Sequence, residues 1–138
     1  MSEHKQLYRI LDANLNRAKE GLRVCEDISR YVWNQASLTK QIKGLRHDLT
    51  TAMGKLDMFK VLDSRAVEQD VGRGSIESEF KRKDMAAVFL ANAGRVKESL
   101  RVLEEVCKLM DASVALKLKV IRYRFYVQEQ KAFKKRLS

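Results

Sequence analysis

The sequence predicts an all-α fold, a helical bundle built from a duplicated two-helix unit, and three observations carry that prediction. The 138-residue chain has no proline and only six glycines, which removes most helix breakers. Apolar residues recur at spacings of three and four along most of its length, the period of an amphipathic helix. The segment ANLNRAKEGLRVCEDI at 13–28 returns as ANAGRVKESLRVLEEV at 91–106, at an offset of 78 and without a gap, which marks an internal repeat. The chain has the size of one domain with a substantial core, so residues 1–138 are read as a single helical domain.

Each element follows from its apolar stripe. Leu7, Leu11, Leu15, Ala18, Leu22 and Cys25 share one face and place a first helix over about 5–34. Its partner begins near Ser37, a suitable N-cap, and runs to about 58 with Leu38, Ile42, Leu45, Leu49, Ala52 and Leu56 inward. A third helix over about 83–110 buries Val88, Phe89, Val96, Leu100, Leu103 and Val106, and a fourth over about 112–135 buries Val114, Leu118, Ile121 and Phe125. The second members of the two pairs also align: Leu38, Ile42, Leu45, Arg46 and Leu49 match Val114, Leu118, Ile121, Arg122 and Phe125. The pseudo-repeat halves are therefore about 5–58 and 83–135, four amphipathic helices that suit a bundle. Between them, residues 59–82 lose the pattern and contain Asp70-Val71-Gly72-Arg73-Gly74. A linker of that length in so small a domain is functional or mobile, and its glycines permit backbone conformations that wrap a phosphate. An ordinary turn explains them equally well.

Charge narrows the partners. The formal net charge is +10 and the pI about 9.8, which attracts nucleic acid, anionic lipid or phosphorylated small molecules alike. Part of the excess, Lys131, Lys134, Lys135 and Arg136, suits a helix C-terminus. Cys25 and Cys107 are too few for a disulfide framework and read as reduced core residues. The N-terminus has neither signal-peptide nor transit character, and no apolar run reaches the roughly 20 residues of a membrane span. A soluble, cytoplasmic protein is expected.

The polar residues of the repeat carry the functional signal. On a helical wheel Asn14, Arg17 and Gly21 fall among Ile10, Ala18, Cys25 and Ile28, while Asn92, Arg95 and Ser99 fall among Val88, Val96, Leu103 and Val106. Asp12, Asn16, Arg23, Asp27 and Arg30 form the opposite, solvated stripe. An arginine inside an apolar arc demands a carboxylate or a polar cavity holding an anion. Glu20 and Glu98, each three residues on, are within reach. One outcome is a pair of Arg–Glu bridges that fix the packing of the halves. The other is a phosphate site in which Gly21 and Ser99 leave room between helices and Arg17 and Arg95 donate forked hydrogen bonds, with Arg46 and Arg122 completing a basic lining.

If the anion is a nucleotide phosphate, Mg²⁺ requires a few carboxylate oxygens, for which Glu20, Asp70 and Glu98 are the candidates. Neither a phosphate-binding GxxxxGKS loop nor the protein-kinase elements are present. His4 and His47 read as solvated or rim residues, and a zinc site would need more ligands. Trp33, Tyr31 and Phe59 could stack on a planar ring, but aromatics at helix ends read more simply as core plugs.

A resemblance adds to this reading. Arg9-Ile10-Leu11-Asp12-Ala13-Asn14, Asn16-Arg17, Glu20-Gly21-Leu22-Arg23, Glu26-Asp27, Leu45-Arg46-His47, Asp70-Val71-Gly72, Ala91-Asn92, Arg95, Glu98, Leu100-Arg101 and Leu103-Glu104-Glu105 together resemble the second, non-ribokinase type of hydroxymethylpyrimidine phosphate kinase. That domain of thiamine biosynthesis is also found fused in front of some thiamine phosphate synthases. The resemblance implies transfer of phosphate from ATP, with Mg²⁺, to a phosphorylated pyrimidine, giving the diphosphate. The acceptor is already anionic, so alignment and charge neutralisation would suffice.

By position the resemblance implies Asn14, Arg17, Glu20, Arg23, Arg46, Asp70, Asn92, Arg95, Glu98 and Arg101 as site residues; Gly72 and Arg122 are added from the residues alone. The catalytic set would be Arg17, Glu20, Arg95 and Glu98. One departure is Ala66, where the family often carries an acidic residue. Without a fused synthase the chain would act free-standing or beside a separate one, and a leftover apolar face would allow a homodimer. The rival readings are a noncatalytic domain that senses a phosphorylated ligand and, less well supported because carboxylates punctuate the polar stripes, a nucleic-acid binder.

Overall fold

A computed structural model describes residues 3–75 and 81–137. Helix α1 covers Glu3–Asp27 and continues through a π-helical turn, Ile28–Val32; α2 covers Ala36–Met53, α3 Met58–Asp63, α4 Met85–Cys107 and α5 Ala112–Leu137, with a 3-10 turn at Val67–Gln69. The long helices close a ring in which α1 packs on α4, α4 on α5, α5 on α2 and α2 on α1. The sequence repeat matches α1 with α4 and α2 with α5. No strand occurs among the described residues, and no helix there is long and apolar enough to cross a membrane.

The predicted stripes form the core. Leu11, Leu15, Ala18, Leu22 and Cys25 of α1 are buried, as are Leu38, Ile42, Leu45, Leu49 and Ala52 of α2 and Val114, Leu118, Ile121 and Phe125 of α5. Leu7, Val88 and Val106 are only partly buried, because they lie at the edges of their helices' inner faces, and so is Leu56, which lies in the turn after α2 because that helix ends at Met53 and not near 58. Trp33 plugs one end of the bundle, its ring centroid 5.0 Å from that of Phe89, which meets Phe133 at 5.9 Å. Tyr31 and Phe59, expected as similar plugs, are exposed. Both Cys25 and Cys107 are fully buried free thiols. Burial pushes Cys25 up to about 12, with Glu129 adding to it, and Cys107 up to about 11, with Asp111 adding.

Several boundaries differ from expectation for identifiable reasons. Ser37 lies in the first turn of α2; the cap is Gln35, whose side chain makes no capping bond but whose carbonyl accepts from Thr39 N, Thr39 Oγ1 and Ser29 Oγ. The chain reverses before it at Asn34, which adopts a left-handed conformation with φ 52°. Carboxylates cap α3, α4 and α5: Asp57 accepts from Lys60 N, Asp84 from Ala87 N and Asp111 from Ser113 N. The segment 59–82 is not wholly irregular, since α3 anchors its start through the fully buried Val61. Residues 76–80 of that segment lie outside the described residues, as does the Arg136 side chain.

Gly21 sets the distance between α1 and α4. A Cβ there would stand 2.8 Å from Val96 Cγ2 and 3.0 Å from the Asn92 carbonyl oxygen, so hydrogen is the only side chain that fits without displacement. The repeat-equivalent Ser99 is buried and turns its hydroxyl back to Arg95 O at 2.6 Å and Val96 O at 3.1 Å. The small residues therefore close the helix crossing; they do not open a cavity between the halves.

Candidate active site

Two nested sets of polar residues arise from the repeat. The inner set is structural. Asn14 and Asn92 each donate Nδ2 to the carbonyl four residues back, Ile10 O and Val88 O, both at 2.9 Å. Glu26 and Glu104 are buried, and each binds the arginine of its partner helix: Arg46 Nε donates to Glu26 Oε1 at 3.1 Å and Arg122 Nε to Glu104 Oε2 at 2.8 Å. Arg23 and Arg101 approach the same carboxylates from the rim at 3.3 and 3.6 Å. Arg122 also donates to the Tyr126 hydroxyl at 2.9 Å and lies over the Tyr123 and Tyr126 rings. The Glu104 hydrogen bond raises the pKa of its guanidinium against the opposing effect of burial.

These bridges correct the sequence reading. Arg17 and Arg95 are exposed, not inward: they sit at the rim of the α1–α4 seam, where a long side chain reaches water and keeps its hydration. The bridges that fix each helix pair use Glu26 and Glu104, not Glu20 and Glu98. Arg46 and Arg122 are the arginines so engaged, and Arg122, buried and bonded at two nitrogens, does not offer an open fork to a phosphate. The signal was available, because Glu26 and Arg46 recur as Glu104 and Arg122 in the repeat.

The outer set is asymmetric. A cleft of about 810 Å³ lies between the outer face of α1 and the segment following α3, lined by Asn14, Arg17, Glu20, Arg9, Arg65 and Asp70 together with Gln6, Ile10, Asp12, Ala13, Asn16, Ala66 and Val67. Its far wall is held by a fork: Arg65 donates Nε to Asp12 Oδ2 at 2.7 Å and Nη2 to Asp12 Oδ1 at 2.8 Å, and this hydrogen-bonded carboxylate raises the Arg65 pKa. Asp12 is thus buried in a bidentate pair and is not part of a solvated stripe. Its repeat equivalent is the exposed Leu90, and that break in the repeat is the signal that could have marked it.

Within the cleft Arg17 makes one long hydrogen bond, Nη1 to Asn14 Oδ1 at 3.4 Å, and no carboxylate pairs with it among the described residues. Asp70 accepts the Gly72 amide at 2.9 Å, forming a side-chain-closed turn. No described glycine has positive φ, so the turn does not use the glycine-specific freedom expected of Gly72.

Other expected site residues lie elsewhere. Glu98 and Arg101 line a separate cleft of about 530 Å³ with Gly94, Lys97 and Tyr126. Asn92, Arg95, Arg23, Arg46, Arg122 and Gly72 are not among the linings of either cleft. Of the proposed metal ligands, Glu20 and Asp70 share the larger cleft while Glu98 does not, and no group of three or more potential ligands gathers among the described residues.

Comparison with known proteins agrees with the residues that carry the resemblance. The chain is 42% identical over 126 residues to a thiamine-phosphate synthase of Rhodopirellula baltica, covering 91% of this chain and 34% of the relative. It is 42% identical over 130 residues to that of Thermosynechococcus vestitus, covering 94% and 36%, and 39% identical over 127 residues to that of Nostoc punctiforme, covering 89% and 34%. It thus spans about a third of the length of these curated relatives. No solved structure matches it. The profile of the ThiD2 family matches residues 9–131, nearly the whole sequence, and the chain belongs to that family.

Proposed function

We propose that the chain is a small-molecule kinase of thiamine biosynthesis, acting in the cytoplasm, that transfers the γ-phosphate of ATP to hydroxymethylpyrimidine phosphate and releases ADP and the pyrimidine diphosphate. The observation that carries the proposal is the α1 cleft, which combines Arg17, without a carboxylate partner among the described residues, with the exposed carboxylates of Glu20 and Asp70. A phosphate oxygen of the acceptor attacks the γ-phosphorus as the bond to the ADP oxygen breaks. The acceptor oxygen is already anionic, so no general base is required.

Arg17 supplies a planar fork to a phosphoryl group, and Asn14 Oδ1 orients it. The Arg65–Asp12 fork fixes the segment that carries Asp70 against α1. A hard divalent cation fits this donor set, because Mg²⁺ takes one or two carboxylate oxygens and fills the rest of its octahedron with phosphate and water. Glu20 and Asp70 are the residues that would hold it, and bound there it would neutralise charge on the phosphates. Ala66 lines the same cleft and supplies no ligand, which favours as second reading a domain that binds the phosphorylated pyrimidine without transfer.

The deciding experiment incubates purified protein with ATP, Mg²⁺ and hydroxymethylpyrimidine phosphate and follows ADP and pyrimidine diphosphate by mass spectrometry. Formation of both products, dependent on Mg²⁺, is expected. Binding of the pyrimidine phosphate without product would leave the sensing reading in its place, and absence of binding by folded protein would overturn both.

A further inference from the structure

The outward face of α5 carries Leu116, Val120, Tyr123 and Val127, exposed at 64%, 52%, 54% and 47%. The repeat supplies an internal control, because α2 occupies the equivalent place in the other half. At the offset of 76 that aligns the two helices, the corresponding residues are Lys40, Gly44, His47 and Thr51, an ordinary wet surface. Helix position therefore does not require an apolar face here. An adjoining groove of about 390 Å³ between α2 and α5, walled by Leu116 and Val120 and by Asp48, Thr51 and Ala52, extends it.

Spacings of four, three and four place the four residues at successive d, a, d and a positions of a heptad, the narrow seam by which one helix packs on another. A lipid-facing helix would need a broader apolar face. The flanking e positions are Lys117, Arg124 and Lys131, and Lys119 stands at a g position; all four are exposed. Of these, Arg124 alone makes an ion pair among the described residues, with Asp48 at 2.6 Å. Lys55 lies against Lys117 and pushes its ammonium below the ordinary value against the weaker opposing pull of Asp111, a like-charge contact that a further, incoming carboxylate would relieve. Charges at e and g choose the partner: a second copy would set cations against cations, whereas a helix flanked by Glu or Asp would match.

We infer that the α5 seam docks an acidic-flanked surface helix of thiamine-phosphate synthase, the protein in which the curated relatives carry this domain as about a third of their length. Four residues make a short seam, sufficient where covalent linkage or high local concentration supplies the rest. The inference rests on family membership and on this face, not on phosphate transfer.

The test labels the full chain with a fluorophore and titrates it by anisotropy with the thiamine-phosphate synthase of the same organism. Wild type should bind more tightly at low salt than at high salt. Leu116→Gln/Val120→Gln should weaken binding about tenfold or more, and Lys119→Glu should weaken it with no change in apolar area. Thermal melts confirm folding, and the kinase assay run on the same samples reports separately on the transfer reaction. Three results would overturn the inference: no binding by wild type, binding indifferent to both variants, or loss in Leu116→Gln/Val120→Gln of self-association by sedimentation or of binding to phosphatidylglycerol vesicles in place of synthase binding.

Discussion

The two halves of the chain share a skeleton and differ at the surface. Asn14 and Asn92 bond the same carbonyl one turn back, and Glu26–Arg46 and Glu104–Arg122 tie each helix to its partner in the same way. Outside that skeleton the first half has the Asp12–Arg65 fork and a charged cleft, where the second half has an exposed Leu90. The second half has an apolar seam on α5 where the first has Lys40, Gly44, His47 and Thr51 on α2. Duplication has kept what folds the pairs and varied what faces outward, so the differences between the copies locate function better than the similarities do.

That contrast can be broken experimentally. The largest effect is expected at the inner bridges: Glu104→Ala leaves Arg122 buried without its counter-charge and should cost about 3–5 kcal/mol, whereas Glu26→Ala should cost less because Arg46 is partly exposed. Urea denaturation of both variants measures the difference; equal losses would mean that burial does not distinguish the halves. On activity, Arg17→Ala should reduce kcat/KM about 100-fold or more, while Arg95→Ala, at the equivalent position outside the cleft, should change it only slightly. A loss of the same size for both would return the site to the centre of the repeat.

Two glycines sharpen the comparison at smaller scale. Gly21→Ala pushes a methyl group into Val96 and should destabilise by about 1–3 kcal/mol. Gly44→Ala, with nothing within 4 Å of its Cβ, should stabilise by about 0.4–1 kcal/mol; thermal melts report both. The last expectation concerns pH. The two thiols have folded pKa values above their ordinary one, so above pH about 9 the unfolded state loses protons that the native state keeps, and stability falls with rising pH. Denaturation midpoints should therefore drop between pH 9 and about 11 and drop less in Cys25→Ser/Cys107→Ser, each compared with its own value at pH 8.

Periodicity and the repeat made the fold legible in the sequence, since four stripes with matching spacing leave few packings other than a bundle. The site was legible only in part. Asn14, Arg17, Glu20 and Asp70 do share a cleft, but a helical wheel treats every side chain as a point at the helix radius. Arginine is long enough to leave an apolar arc at its rim, which is why Arg17 and Arg95 reach water. Nor does a wheel show the Asp12–Arg65 fork, which joins residues far apart in sequence through a segment without a period of its own. The buried Glu26 and Glu104 needed a second step, the matching of each glutamate with the arginine that recurs alongside it.

The crossing at Gly21 has a consequence for how such a protein could be divided. Gly21 faces the larger Val96, and the repeat counterparts of these two residues are Ser99 and Ala18. Two copies of the first half would bring glycine against alanine and leave a gap, and two copies of the second would drive serine into valine. The halves are a bump and a hole: cut apart between α3 and α4, they should prefer each other to themselves, a heterodimer whose specificity resides in one missing side chain.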